Sequence, residues 1–161
     1  MAKLKIITGE DKAILRTKCG EVKNFDANLK KFVKNMKDTM VAANGLGIAA
    51  PQVNKNARVF LVTLDVKEKD ERVVAMVNPE ITHKSKERGE DEEGCLSLPG
   101  VYGHVMRHKK IKVEFFDING SRQVLELEDL NARVVQHEND HIDGILFIDY
   151  LKKGDSENLM F

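Results

Sequence analysis

"VVQHENDHID", residues 134–143, decides how the rest of this chain is read. It sets His137 and His141 four apart, with Glu138 directly after the first histidine. Residues three or four apart share one face of a helix. Leu130, Val134, His137 and His141 follow steps of four, three and four, so the histidines continue an apolar stripe. They are expected to point inward with it. Burying imidazole nitrogens without a partner is costly, and a metal ion satisfies them. Glu138 lies about 100° round the helix from His137, still close to an ion held between the two histidines. Such a helix supplies two metal ligands and a carboxylate that moves the proton of a water. The competing reading is an ordinary helix whose histidines bond locally.

A catalytic site of this type has three protein ligands and an open position. The 20 residues after His141 hold no histidine or cysteine. Asp143 is too close, and Asp149 is a poor candidate. The third ligand is therefore expected upstream, from Cys19, Cys95, His83, His104 or His108.

Outward from this helix, the pattern predicts an α+β fold. Residues 26–43 carry Leu29, Phe32, Val33, Met36 and Met40 at helical spacing. Asp26 or Asn28 can cap this early helix, and Asn44-Gly45 can end it. Its apolar stripe reads as core. Residues 57–64 and 73–81 read as strands, the second stopped by Pro79. Residues 111–128 read as a hairpin in which Asn119-Gly120 supplies two positive-φ positions. The period then changes from two to 3.6, with Asp129 as N-cap and Gly144 as stop. Charged runs at 67–72 and 83–93 read as solvated loops. A helix, several strands and a late helix point to antiparallel sheet packed round a central metal-binding helix, not to alternating βαβ units. No repeat or linker divides the chain, so residues 1–161 are expected to form a single catalytic domain.

The bulk numbers exclude several classes. Lysine and arginine number 26, and aspartate and glutamate also 26. Bulk charge therefore gives no reason to expect direct nucleic-acid or membrane-surface binding. The start, "MAKLKIITGEDK", lacks the apolar core of a signal peptide, and no apolar run approaches the roughly 18 residues of a membrane span. Two cysteines far apart do not make a secreted disulfide framework. The expectation is a cytoplasmic protein with free thiols. Cys19 has no motif around it and reads as structural, and His83, His104 and His108 read as solvated.

Two further stretches bear on the site. "NGLGIAAPQ" (44–52) is a glycine-rich turn that lets backbone approach a ligand closely. It lacks the spacing of a dinucleotide fingerprint or a P-loop. "EEGCLSLPG" (92–100) places Cys95 after a glycine. A lone cysteine is more often a small buried apolar residue than a ligand. From the residues alone the reading stops at a metal hydrolase with a cysteine ligand.

Together the three stretches resemble the peptide deformylases. Gly45-Leu-Gly47-Ile-Ala-Ala-Pro-Gln52, Glu93-Gly-Cys95-Leu96-Ser97 and Gln136-His137-Glu138-Asn-Asp140-His141 match that family's three motifs in order and spacing. "LSLPG" resembles the form found in its compact bacterial and organelle subgroup. The resemblance implies removal of the formyl group from N-formylmethionine at the start of nascent peptides. It implies Cys95, His137 and His141 as ligands of one ion, with Fe²⁺ favoured and Zn²⁺, Ni²⁺ or Co²⁺ able to substitute. It implies Glu138 as proton carrier, with the Gln52 amide and the Leu96 N–H as oxyanion donors. It implies Gly45, Leu46, Gly47, Leu130 and Val134 as the residues that take up the substrate, Leu46, Leu130 and Val134 as walls of the methionine pocket. Glu93 and Asp140 are implied to orient ligands, with Arg107 paired to Glu93.

The chain also departs from the pattern. Asn139 takes a position that is commonly apolar, on the side of the helix away from the ligands. Asp91 and Arg133 are charged where relatives are often apolar near the methionine pocket. The ending "LKKGDSENLMF" is too short for the long basic helix that looks suited to ribosome docking, so such docking is not expected. Two rival functions remain at this point: another Cys-His-His metal peptidase or amidase, and a non-catalytic protein stabilised by a metal.

Overall fold

The computed structural model describes residues 3–153. Helix α1 spans Ala27–Ala42, and the Asp26 side chain caps it by accepting from the Leu29 N–H. Asn44, at φ +57°, ends it. Seven strands follow: β1 Gly47–Ala49, β2 Val59–Leu64, β3 Arg72–Lys84, β4 Arg88–Cys95, β5 Leu98–His108, β6 Lys110–Phe116 and β7 Arg122–Glu128. Helix α2 is Asp129–Ile142, and α3 is Ile148–Lys153. Strands β1-β2-β3-β6-β7 form one antiparallel sheet in that order, and β4 pairs with β5 in a second. The α+β architecture expected from the sequence is therefore the one observed.

Strand β2 explains why the fold closes. Its Phe60, Val62 and Leu64 join Val113, Ala132 and Val135 in one buried cluster, on the α2 side. Its Val59 and Leu61 join Leu29, Val33, Met36 and Met40 of α1 in another. Alternate residues of a strand face opposite sides of a sheet, so a strand covered by helices on both faces reads as a continuous apolar run. A third cluster, with Leu15, Leu98, Val105, Leu146 and Phe147, ties the β4–β5 hairpin to the segment after α2.

Four local expectations change. Strand β3 does not stop at Pro79. Asn78 adopts φ +49°, and the ladder with β6 shifts register between Val77 and Glu80. The Asn78 side chain bonds both the N–H and the carbonyl of Val22. A bulge held this way lets the strand pass its proline. The run 83–93 is not a solvated loop, because β3 reaches Lys84 and β4 begins at Arg88. In the 111–128 hairpin only Gly120 has positive φ (+83°), and Asn119 does not. The turn is longer than two residues: Asp117 Oδ1 accepts from the N–H groups of Asn119 and Ser121. Finally, α2 begins at Asp129 itself, with no side-chain cap.

The end of α2 matches expectation. Gly144 has φ +76°, and its N–H donates to the His141 carbonyl. A Cβ there would lie 2.6 Å from the Arg16 backbone oxygen. Gly144→Ala is therefore expected to lower the unfolding free energy by about 1–3 kcal/mol. Urea unfolding of both proteins, each in the same metal state, measures this.

Candidate active site

Helix α2 passes directly behind the β4–β5 turn, and this juxtaposition assembles the site. His137 and His141 are buried on one helix face, as their spacing predicts. Cys95 ends β4, just before the two-residue turn at Leu96 and Ser97. One donor atom from each of Cys95, His137 and His141 lies within 4.8 Å of the others. Cys95 Sγ is 3.3 Å from His141 Nε2. The two imidazole rings stand 5.1 Å apart at 70°.

The other candidates for the third ligand lie elsewhere. Cys19 is buried in the α2 side of the core, where burial pushes its thiol up. His83 and His104 are exposed, as expected. His108 is half-buried, with Nδ1 2.7 Å from the Ser85 carbonyl oxygen, so it is not simply solvated.

The residues present suit a divalent ion. His137 Nδ1 lies 2.8 Å from Glu93 Oε1, which can only accept, so Nδ1 carries a hydrogen and Nε2 is the nitrogen that would give up its proton to bind an ion. Among the described residues, the buried Glu138 Oε1 and His141 Nδ1 have no hydrogen-bond partner. Buried polar atoms left in this way are costly in a purely structural region, and they cluster at functional sites. A thiolate with two imidazoles is a donor set that zinc or ferrous iron accepts.

Electrostatics separate the groups. Burial pushes the Glu138 carboxyl up to about 7, against the pull of His137. Burial opposes a charge on His137, but its contacts with Cys95, Glu93 and Glu138 outweigh burial and raise it to about 10. Burial and the neighbouring His137 hold His141 well below the usual histidine range. A carboxyl that titrates near neutrality suits a group that takes up a proton and then returns it.

Gln52 sits in a short 3-10 helix, Ala50–Val53, after β1. Its Oε1 accepts from the Ala49 N–H at 2.8 Å, which turns Nε2 towards the site. Nε2 donates to Ser97 Oγ at 3.1 Å and lies 3.5 Å from Cys95 Sγ. The N-terminal segment binds the two stretches together: the Ile7 N–H donates to the Gln52 carbonyl, and the Gly9 N–H to the Ser97 carbonyl. Gly47 has a specific reason to be glycine, because a Cβ there would lie 2.6 Å from Glu138 Oε2.

A cavity of about 710 Å³ opens over these groups. Gly45, Leu46, Gly47, Leu96, Leu130 and Val134 all line it. One inward position is corrected: Leu130, in the first turn of α2, lines the cavity but is 46% exposed. Asp91 is exposed and lies outside the lining, whereas Arg133 lies within it.

Behind the ligands is a buried ionic network. Glu93 and Arg107 form a bidentate pair at 2.8 and 2.9 Å, and both side chains are 5% exposed. Arg107 also donates to Asp140 at 2.6 Å. The Tyr150 hydroxyl donates to Asp140, and its ring lies 4.9 Å from the Arg107 guanidinium. The sequence gives no role to Ser97 or Tyr150 and does not reveal the Arg133–Glu93 contact. Ser97 could have been noticed inside its motif, but no local pattern marks Tyr150.

A sequence profile described as Polypeptide deformylase matches residues 3–157. The chain belongs to the polypeptide deformylase family. It is 46% identical over 140 residues to Peptide deformylase 1 of Clostridium perfringens, covering 87% of this chain and 92% of that one. The crystal structure of peptide deformylase from Thermotoga maritima superposes with a TM-score of 0.87 at 39% identity, covering 93% of this chain and 98% of that one. A probable peptide deformylase from synechococcus phage S-SSM7 superposes at 0.85 with 44% identity, covering 92% and 99%. Deformylases remove the N-terminal formyl group of newly made polypeptides, and this amide hydrolysis is the reaction of this chain. The family and the Cys95–His137–His141 group together indicate a single metal ion.

Proposed function

We propose that residues 1–161 act as one catalytic domain in which Cys95, His137 and His141 hold Fe²⁺. Zn²⁺, Ni²⁺ or Co²⁺ would substitute, since the donor set accepts each of them. The supporting observation is the convergence of these three donors beside a buried Glu138 oxygen that has no partner among the described residues. A bound ion would supply Lewis acidity, polarising the formyl carbonyl and lowering the pKa of water towards neutrality.

The chain's own groups carry the remaining chemistry. The substrate backbone lies strand-like along Gly45–Gly47, and the methionine side chain enters between Leu46, Leu130 and Val134. Glu138 takes the proton of the attacking water as the new O–C bond forms at the formyl carbon. The carbonyl oxygen becomes an oxyanion that accepts from Gln52 Nε2 and the Leu96 N–H. The C–N bond then breaks, and Glu138 returns its proton to the leaving amine. Formate and a free N-terminal methionine result. A formyl carbon bears only hydrogen, so a close-fitting site admits it and excludes acetyl.

The partner is an N-formylmethionyl nascent peptide in the cytoplasm, with no nucleic acid or membrane component. No helix among the described residues is long and apolar enough to cross a membrane. The expectation about ribosome docking rests on residues 151–161, of which 154–161 lie outside the described residues.

Gln52→Ala is expected to lower kcat by about 10²–10³-fold, with KM changed far less, because its donor acts on charge that develops in the transition state. Steady-state kinetics on formyl-Met-Ala-Ser measures both constants. The whole reading is tested by stripping the protein with a chelator and reloading it anaerobically with one equivalent of Fe²⁺, Ni²⁺, Zn²⁺ or Co²⁺. Formate release from formyl-Met-Ala-Ser should return with the metal and be fastest with Fe²⁺. Equal turnover of the acetylated peptide, or cleavage of an unformylated one, would identify a different hydrolase.

A further inference from the structure

Arg133 looked from sequence like a charge out of place beside the methionine pocket. The structure pairs its guanidinium with Glu93, which lines the same cavity. Nη1 donates to Glu93 Oε2 at 2.7 Å and to the Val105 carbonyl at 2.8 Å. Nη2 donates to the Gly89 carbonyl at 2.8 Å. One side chain of α2 thus reaches both strands of the hairpin that carries Cys95. The guanidinium is held in place, because the Arg133 side chain is only 12% exposed.

Glu93 is the connection to the ligands. Its Oε1 accepts from Arg107 Nη2 and His137 Nδ1. Its Oε2 accepts from Arg107 Nε and Arg133 Nη1. The plane of the carboxylate is therefore set by two guanidinium groups on different elements, β5 and α2. Arg133 also precedes His137 by four residues, so the two lie on the same face of α2. A guanidinium fixes such geometry because its donors form a rigid planar fork. A partner that fixes a ligating histidine through its second nitrogen commonly changes metal affinity by about 10- to 100-fold.

We propose that Arg133 is a positioning residue for the metal centre: it fixes the Glu93 carboxylate and, through it, the ring of His137. This rests on the metal site proposed above. Arg107 grips both Glu93 oxygens from β5, and His137 bonds one of them. Arg133 adds a donor to Oε2 from α2, so the carboxylate is also tied to the helix that carries His137, and α2 is held against the hairpin that carries Cys95.

The test compares Arg133→Met, which keeps the stem and loses the fork, with Arg133→Lys and the wild-type chain. Each protein is loaded with Zn²⁺, and release to a chromogenic chelator is timed. Each is also loaded with Co²⁺, whose visible absorption reports ligand geometry. Arg133→Met should release Zn²⁺ about 10- to 100-fold faster, with an altered Co²⁺ spectrum. Its KM for formyl-Met-Ala-Ser should stay within about threefold. Arg133→Lys should recover part of the loss, since it keeps a charge but not the fork.

Wild-type release rates and spectrum in Arg133→Met, with only KM changed, would make Arg133 a pocket wall and overturn the proposal. A lowered melting temperature with an unchanged spectrum and release rate would make it a structural tie, and would overturn it equally. Wild-type protein that bound neither ion would instead sink the metal-site reading, so the two failures are distinct.

Discussion

Glu138→Ala is expected to lower kcat for formate release by about 10²–10⁴-fold, while the chain keeps its fold and its metal. The carboxyl is the only proton carrier in the chemistry proposed here. It stands beside the ligand His137, with Oε2 4.0 Å from His137 Nε2. Burial holds it near 7, where it can both accept and return a proton. Its stability effect should run the other way. Glu138 Oε1 is buried with no partner among the described residues, and deleting an unsatisfied buried group relieves its desolvation penalty. The variant should therefore melt at or above the wild-type temperature. Single-turnover formate release, metal content and thermal unfolding on one preparation separate the effects. A variant that is inactive because it is metal-free or unfolded would argue against the assigned role.

Arg107→Met should cost about 3–5 kcal/mol of folding stability, because it removes one partner of a buried ion network. Arg107 is 5% exposed and neutralises two carboxylates, Glu93 and Asp140. Its guanidinium holds the Glu93 carboxyl well below the usual carboxylate range, against the burial that would raise it. Methionine fills much the same space and supplies no charge. Glu93 would then rely on Arg133 and His137, and Asp140 on the Tyr150 hydroxyl. Urea unfolding of the metal-free proteins at fixed pH measures the loss. A change below about 1 kcal/mol would mean that these carboxylates are solvated or protonated rather than held by Arg107.

The parts of the fold legible in sequence are those where one physical rule governs a whole element. The stripe on α1 and the apolar run of β2 each reflect burial on a known face, and both are where their patterns put them. The histidines of α2 were legible for the same reason, since they continue its stripe. Strand β4 was not. Its sequence, Arg88 to Cys95, is charged because one face is solvated, and the residue it buries is Glu93 rather than an apolar one. That burial depends on Arg107, 14 residues on, and Arg133, 40 residues on, and no local pattern records such a pairing. The bulge at Asn78 escaped notice because the side-chain bonds that hold it go to Val22. Arg133 showed the opposite difficulty. Its charge was visible, but its direction is set by acceptors on two strands of another sheet.

The most direct test counts metal and product in the same sample. Wild-type protein and Cys95→Ala, each loaded anaerobically with Fe²⁺ and desalted, are assayed for bound iron and for formate released from formyl-Met-Ala-Ser. The expected result is one iron per chain and rapid formate release in the wild type, with both lost in a Cys95→Ala protein that remains folded. Formate release at the wild-type rate from folded, iron-free Cys95→Ala would contradict the assignment of Cys95, His137 and His141 as the centre of this chemistry.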